Sequence, residues 1–127
     1  MDYEVDLNLK KLVKVINDLE DLTTFSSCGG HDNPNPNQQP SGQFEISLQI
    51  EPTRSGLNSL GLIQAAINRH PQNESLILIT CLCANEPDSV AFSLEGYNKA
   101  NPEVLADLLY EVIEAYGTSP PSDWKPA

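Results

Sequence analysis

The sequence predicts an α+β domain in which an N-terminal helix precedes two β-β-α units. Three observations lead to this prediction. Apolar residues recur every three to four positions in three segments, a spacing typical of amphipathic helices. Residues 43–51 and 90–95 alternate between apolar and polar side chains, as strands with one buried face do. Residues 76–84 form a nearly continuous apolar run, which indicates a fourth, buried strand. We therefore expect a mainly antiparallel four-stranded sheet with helices on one face.

The first helix is expected from Leu7 to Glu20. Its apolar stripe consists of Leu9, Leu12, Val13, Ile16 and Leu19. Asp6 or Asn8 can cap its start, because short polar side chains accept hydrogen bonds from the free N–H groups of a first helical turn. The strand Leu22–Ser27 follows and runs into a glycine pair.

The stretch His31–Gly42 contains three prolines and several Asn and Gln residues, so we expect a loop. Loops of this length are either functional lids or disordered segments. The sequence allows two interpretations of this loop, as a flap over a neighbouring site or as an extended hairpin connection. The strand Gln43–Glu51 comes next and can pair with Leu22–Ser27 as a hairpin across the loop.

The second half of the chain predicts another helix, a hairpin and a final helix. The helix is expected over Leu57–Arg69, and Gly61 is a weak point inside it. Leu76–Ala84 should be a central, well-buried strand, because its residues are apolar on both faces. Val90–Glu95 should pair with it.

The final helix has the clearest start and stop signals. Asn101 is a good N-cap, Pro102 a natural first residue and Gly117 the expected stop. Residues 1–117 then form one α+β domain, and residues 118–127 form an irregular, proline-containing tail.

Composition narrows the possible partners. The chain has 127 residues and a formal net charge of −11, so its field should repel nucleic acid. It has no apolar run of membrane-spanning length, and its first residues lack the features of a signal peptide. Three cysteines, an odd number, indicate reduced thiols. We expect a cytoplasmic protein that does not contact membranes, with a small molecule or a basic protein as its partner.

One short segment concentrates chemically capable side chains. It consists of Ser26, Ser27, Cys28, Gly29, Gly30 and His31. Adjacent glycines favour a sharp turn whose free N–H groups can form a nest for an anion. Cys28 and His31 are the candidate catalytic residues, since a tight turn can bring a thiol and an imidazole onto one ligand. Arg54, before the second helix, can add a guanidinium for a carboxylate or phosphate.

Zinc and nucleophilic catalysis are alternative uses of the same groups. Cys28 and His31 together with Cys81 and Cys83 form a conceivable zinc set. The Cys-x-Cys spacing is not that of a zinc knuckle, however, so we predict no metal and assign Cys81 and Cys83 to the core. A nucleophilic Cys28 would need His31 as base and a third, orienting group, for which Asp32 and Glu95 are candidates.

Two resemblances rest on this segment. Residues 24–31 resemble the Thr-x-x-Ser-Cys-x-Gly-His segment of small uncharacterised bacterial and phage-type proteins, where a helix precedes it and a loop and an alternating strand follow. Residues 23–31 are also similar to the Thr-Thr-Ser-Ser-Cys-Ser-Gly-Arg motif of the tRNA wybutosine-synthesis methyltransferases. That resemblance implies S-adenosylmethionine as cofactor and a guanosine-derived tRNA base as substrate. It covers under ten residues, with His31 in place of the arginine and Gly29 in place of a serine.

Three functions therefore remain open. The first is small-ligand binding at the Ser26–His31 turn, with a cofactor that the sequence does not identify and with enzymatic activity undecided. The second is an acidic interaction or regulatory module that meets a basic protein. The third is an S-adenosylmethionine-dependent RNA-modifying enzyme.

Overall fold

Within the part of the chain that the structure describes, a four-stranded antiparallel sheet forms the centre of the fold and three helices cover one of its faces. The computed structural model describes residues 5–80 and 89–117. The strands are β1 (Leu22–Cys28), β2 (Phe44–Ile50), β3 (Leu76–Thr80) and β4 (Val90–Gly96), and the helices are α1 (Lys10–Asn17), α2 (Arg54–Arg69) and α3 (Pro102–Tyr116). Short 3₁₀ turns precede α1 and β3, at Leu7–Leu9 and Asn73–Ser75. The predicted α+β architecture is confirmed.

The core lies between the helices and the sheet face that carries the apolar positions of β2. Along β2, residues 44, 46, 48 and 50 are buried in this core, as the alternation predicts. The helices contribute residues at the predicted spacing, among them Leu12, Ile16, Ile63, Ala66, Leu105, Leu109 and Val112. Because α3 packs against both α1 and α2, the three helices form one layer.

The caps of α2 and α3 explain where these helices begin and end. In α2 the Thr53 hydroxyl accepts a 3.0 Å hydrogen bond from the Gly56 N–H, so the helix begins three residues before the predicted Leu57. In α3 the Asn101 side chain accepts from the Glu103 N–H at 2.9 Å, and Gly117 with φ 72° ends the helix. The predicted signals of α3 are confirmed.

Helix α1 is shorter than predicted and is not capped by a side chain. It ends at Asn17 rather than Glu20, and the residues from Leu7 to Leu9 form the 3₁₀ turn. Neither Asp6 nor Asn8 caps it. Their side chains instead reach the turn after β1.

The prediction that the third strand is central and well buried is wrong. The strand order is β1-β2-β4-β3, so β3 is an edge strand and β4 lies between β2 and β3. Ile77 and Ile79 point to the face without helices and are exposed. An apolar run does not by itself indicate a central position, because here β4 pairs on both sides and displaces β3 to the edge.

Two predicted elements lie partly or wholly outside the described residues. These are the continuation of the third strand through Cys81 and Cys83, and the irregular tail over 118–127. Within the described ranges, no helix is long and apolar enough to cross a membrane.

Candidate functional site

Three side chains from two separate segments meet at the end of β1. Each of Asp6, Cys28 and His31 offers one donor atom, and these atoms lie within 4.8 Å of one another. His31 Nε2 and Asp6 Oδ2 are 3.3 Å apart. The side chains of Asp6 and His31 are each 35% exposed, so the cluster is open to solvent on one side.

A bulge in β1 turns Cys28 toward this cluster. The register with β2 shifts between Thr24 and Ser26, with Phe25 as the extra residue. Before the shift Thr24 pairs with core-facing Leu48, whereas after it Cys28 pairs with Glu45 on the face without helices. A bulge inverts the side-chain alternation. Without it, Cys28 would continue the alternation of Leu22 and Thr24 and face the helices.

Asp6 is fixed by the turn that it faces. Its Oδ2 accepts a 2.7 Å hydrogen bond from the Gly29 N–H. The neighbouring Asn8 Nδ2 donates to the Gly29 carbonyl at 2.9 Å. The segment before α1 therefore clamps Gly29 on both sides. A side chain at Gly29 would collide with Asn8, since its Cβ would lie 2.0 Å from Asn8 Oδ1.

The loop after His31 folds back onto the cluster. His31 N–H donates to the Gln39 carbonyl and the Ser41 N–H donates to the His31 carbonyl, both at 2.9 Å. The Gln39 N–H donates to Cys28 Sγ at 3.2 Å. This contact ties the loop to the Cys28 side chain. Residues 39–41 thus form a wall of the site, while residues 32–37 are exposed.

The nest predicted at the glycine pair is occupied by the protein itself. The Gly29 N–H bonds to Asp6 and the His31 N–H bonds to the Gln39 carbonyl. These two donors are therefore not available to an external anion. Gly30, with φ 95°, supplies the conformation that the turn requires.

An open cleft of about 360 Å³ lies next to the turn. Gly29 and Gly30 form one side of it, and the segment from Lys99 to Pro102, the first residue of α3, forms another. The cleft is not lined by Asp6, Cys28 or His31. The side-chain cluster and the cleft are thus separate features that share the glycine turn.

The structure brings only part of the predicted residue set together. Ser26 is exposed on the face without helices, whereas Ser27 pairs with core-facing Ile46. The Ser27 hydroxyl is buried without a hydrogen-bond partner among the described residues. Arg54 is the first residue of α2 and lies near the Leu22 end of β1, whereas the glycine turn follows the Cys28 end. At about 3.3 Å per residue these two ends are about 20 Å apart. Arg54 therefore does not flank the turn.

The group that contacts His31 is also not one of those proposed from sequence. Asp32 is exposed on the loop, and Glu95 accepts hydrogen bonds from Ser93 and Tyr97. The carboxylate beside the His31 imidazole is that of Asp6 instead. No local signal identifies it, because its contacts join residues 23 and 25 positions apart in the chain.

Carboxylates continue from the cluster across the sheet. Glu45 lies opposite Cys28 in the register, and Glu95 lies opposite Glu45. Glu45 accepts from Gln39 Nε2 at 3.1 Å, and Glu95 accepts from the Ser93 hydroxyl at 2.9 Å. These hydrogen bonds offset the repulsion expected between directly opposed like charges. Asp6, Glu45 and Glu95 thus place carboxylates beside and across the sheet from Cys28, an arrangement that favours a cation over an anion.

The cluster supports two kinds of chemistry. A thiolate, an imidazole and a carboxylate directed at one point are ligands for a transition metal. The same groups are also those of a nucleophilic site, in which the thiol attacks, the imidazole takes its proton and the carboxylate orients the imidazole. Searches of protein-family models, curated proteins and solved structures gave no match to this chain.

Proposed function

We propose that this protein binds a small ligand at the turn after β1, with the Cys28 sulfur and the His31 imidazole in direct contact with it. The convergence of Asp6, Cys28 and His31 donor atoms within 4.8 Å carries this proposal. All three residues are partly exposed, so a ligand can reach them from solvent.

The scaffold of the cluster also supports the proposal. A binding site needs its contact groups held in place before the ligand arrives, because ordering them on binding lowers the affinity. Cys28 belongs to a strand paired with β2, and both peptide groups of His31 are hydrogen-bonded to the loop. Asp6 is held by the Gly29 N–H. Hydrogen bonds within the protein therefore hold the backbone of Cys28 and His31 and the side chain of Asp6 in place.

Native mass spectrometry of the full chain tests the proposal. The protein is measured alone and after incubation with Zn²⁺, with S-adenosylmethionine, and with a protein-free small-molecule extract of the cells that produced it. The Cys28→Ala/His31→Ala double variant is measured beside it. The control is Asp32→Ala/Asn33→Ala, which alters two exposed residues of the adjoining loop.

We expect an added mass on the wild type and on the control that the double variant loses. A mass added by S-adenosylmethionine and lost in the double variant would favour the methyltransferase-like alternative suggested by the sequence motif. No added mass under any condition would contradict ligand binding. The acidic interaction module would then be preferred, and its test is capture of a basic protein that is lost at high salt but survives the double substitution.

A further inference from the structure

The geometry points to a divalent transition-metal ion of the Zn²⁺ type as the ligand, bound by Asp6, Cys28 and His31 with one coordination position left open. This inference rests on the proposed function and names the chemical class of its ligand. It differs from the metal set considered from sequence, because Asp6 takes the place of Cys81 and Cys83.

The distance between the Asp6 and His31 donor atoms matches that of a tetrahedral site, and the Cys28 sulfur lies within 4.8 Å of a donor atom of each. Zinc bonds to nitrogen and oxygen are about 2.0–2.2 Å long, so two such ligands at the tetrahedral angle lie about 3.3 Å apart. Asp6 Oδ2 and His31 Nε2 are separated by 3.3 Å. A zinc–sulfur bond of about 2.3 Å places sulfur about 3.6 Å from the other two donors. The Cys28 sulfur lies within 4.8 Å of one donor atom of Asp6 and one of His31, so the sulfur needs to approach these atoms by at most about 1.2 Å.

The donor types favour the same ion. Thiolate and imidazole together select zinc and related d-block ions, while Mg²⁺ and Ca²⁺ prefer oxygen ligands alone. A three-ligand set on a partly exposed surface leaves the fourth position to water or to a small molecule. Binding releases the Cys28 thiol proton to solvent as the metal–sulfur bond forms.

Neighbouring groups are arranged as the second layer of a metal site usually is. The Gly29 N–H donates to the Asp6 carboxylate, and the Gln39 N–H donates to the Cys28 sulfur. Such hydrogen bonds orient metal ligands and keep their lone pairs directed at the ion. Glu45 adds negative charge on the same sheet face as Cys28, which attracts a cation.

Titration of the reduced full-length protein with Co²⁺ tests this inference. Co²⁺ replaces Zn²⁺ in tetrahedral sites and reports thiolate ligation through a charge-transfer band in the near ultraviolet. We expect this band in the wild type, displacement of Co²⁺ by Zn²⁺, and one proton released per ion bound. The band should be lost in Cys28→Ser. The dissociation constant for Co²⁺ should rise by about 100-fold or more in His31→Ala and in Asp6→Asn. Loss of a group that only hydrogen-bonds to a metal ligand lowers metal affinity by about 10–100-fold, and loss of a ligand itself should cost at least as much.

Two controls keep the test decisive. Asp6→Asn retains an oxygen acceptor for the Gly29 N–H, and circular dichroism of each variant verifies that it is folded. The Cys81→Ser/Cys83→Ser double variant should keep the band. A band that persists in Cys28→Ser and disappears in the Cys81→Ser/Cys83→Ser variant would overturn the assignment.

The result also separates this inference from the proposed function. If Co²⁺ and Zn²⁺ do not bind while an organic mass still depends on Cys28 and His31, the metal inference is wrong and small-ligand binding stands. If neither a metal nor an organic molecule binds at these residues, both are wrong.

Discussion

The Asp6 carboxylate accepts a 2.7 Å hydrogen bond from the Gly29 N–H, and this contact joins the segment before α1 to the turn after β1. The same Oδ2 atom lies 3.3 Å from His31 Nε2. Asp6 thus holds the turn and also directs a charge at its imidazole. It links the stability of the turn to the chemistry of the candidate site.

Asp6→Ala should lower the free energy of unfolding by about 1–2 kcal/mol. A hydrogen bond to a charged group contributes about 1.5–3 kcal/mol when well shielded, and the partial exposure of Asp6 reduces this. Urea denaturation measures the change. Asp32→Ala is the matched control because it removes the same charge from an exposed position, and its effect should stay within about 0.5 kcal/mol. Equal effects of the two substitutions would contradict a structural role for Asp6.

Gly30→Ala should destabilise the protein by about 1–3 kcal/mol, the usual cost of a strained backbone at a non-glycine residue. Gly30 has φ 95°, and a Cβ there would lie 2.6 Å from the Gln43 carbonyl oxygen. Gly61→Ala provides the opposite case, since a Cβ at Gly61 meets no atom within 4 Å. Because alanine is the better helix former, Gly61→Ala should raise the free energy of unfolding by at most about 1 kcal/mol. Thermal unfolding of both variants should shift in opposite directions, and a stabilised Gly30→Ala protein would refute the account of the turn.

His70→Phe should cost about 1–3 kcal/mol, because it leaves the partly buried Gln72 N–H without its acceptor and removes one of the two N–H donors to the Asn101 carbonyl, which keeps the Leu105 N–H. His70 is 2% exposed and connects the end of α2 to the start of α3. Its Nδ1 accepts from the Gln72 N–H at 2.9 Å, so the Nε2–H donates to the Asn101 carbonyl at 3.0 Å.

The same hydrogen bonds predict which ring nitrogen of His70 carries the proton. Nitrogen-15 chemical shifts of the folded protein should report the tautomer with hydrogen on Nε2. A ring with hydrogen on Nδ1 would show that the Gln72 contact does not form in solution.

Tyr97 should ionise only at a pH above its ordinary pKa of 10.0. Its hydroxyl donates to the Glu95 carboxylate, and this hydrogen bond, together with burial and repulsion between phenolate and carboxylate, raises the pKa of Tyr97. A raised folded-state pKa stabilises the fold below pH 10.0, and this contribution is lost as pH rises through the folded value.

Ultraviolet absorbance titration measures the pH at which Tyr97 ionises. The Tyr97 signal is the difference between the titration curves of the wild type and of Tyr97→Phe. Glu95→Gln should bring the Tyr97 pKa back toward 10.0, because it removes the carboxylate charge that strengthens the hydrogen bond and repels the phenolate. A phenolate that forms at or below pH 10.0 in the wild type would contradict the Tyr97–Glu95 contact.

Local patterns were sufficient for most elements of the fold. The alternation of β2 identifies its buried face without knowledge of any partner strand, since side chains of a strand alternate by geometry. Asn101, Pro102 and Gly117 mark both ends of α3 because capping depends on groups within a few residues. The absence of a side-chain cap on α1 was not predictable, because both capping candidates have distant partners.

The sequence by itself determined the helices, the strands and the packing of the helices on one face of the sheet. It also determined a turn that carries a thiol and an imidazole. Only the tertiary structure decided that β4 rather than β3 is central, that the bulge at Phe25 turns Cys28 to the face without helices, and that Asp6 completes the cluster while Arg54 lies elsewhere. The physical reason is one of range. Side-chain periodicity and caps act over a few residues, whereas strand order, register and the meeting of Asp6 with His31 depend on contacts between segments far apart in the chain.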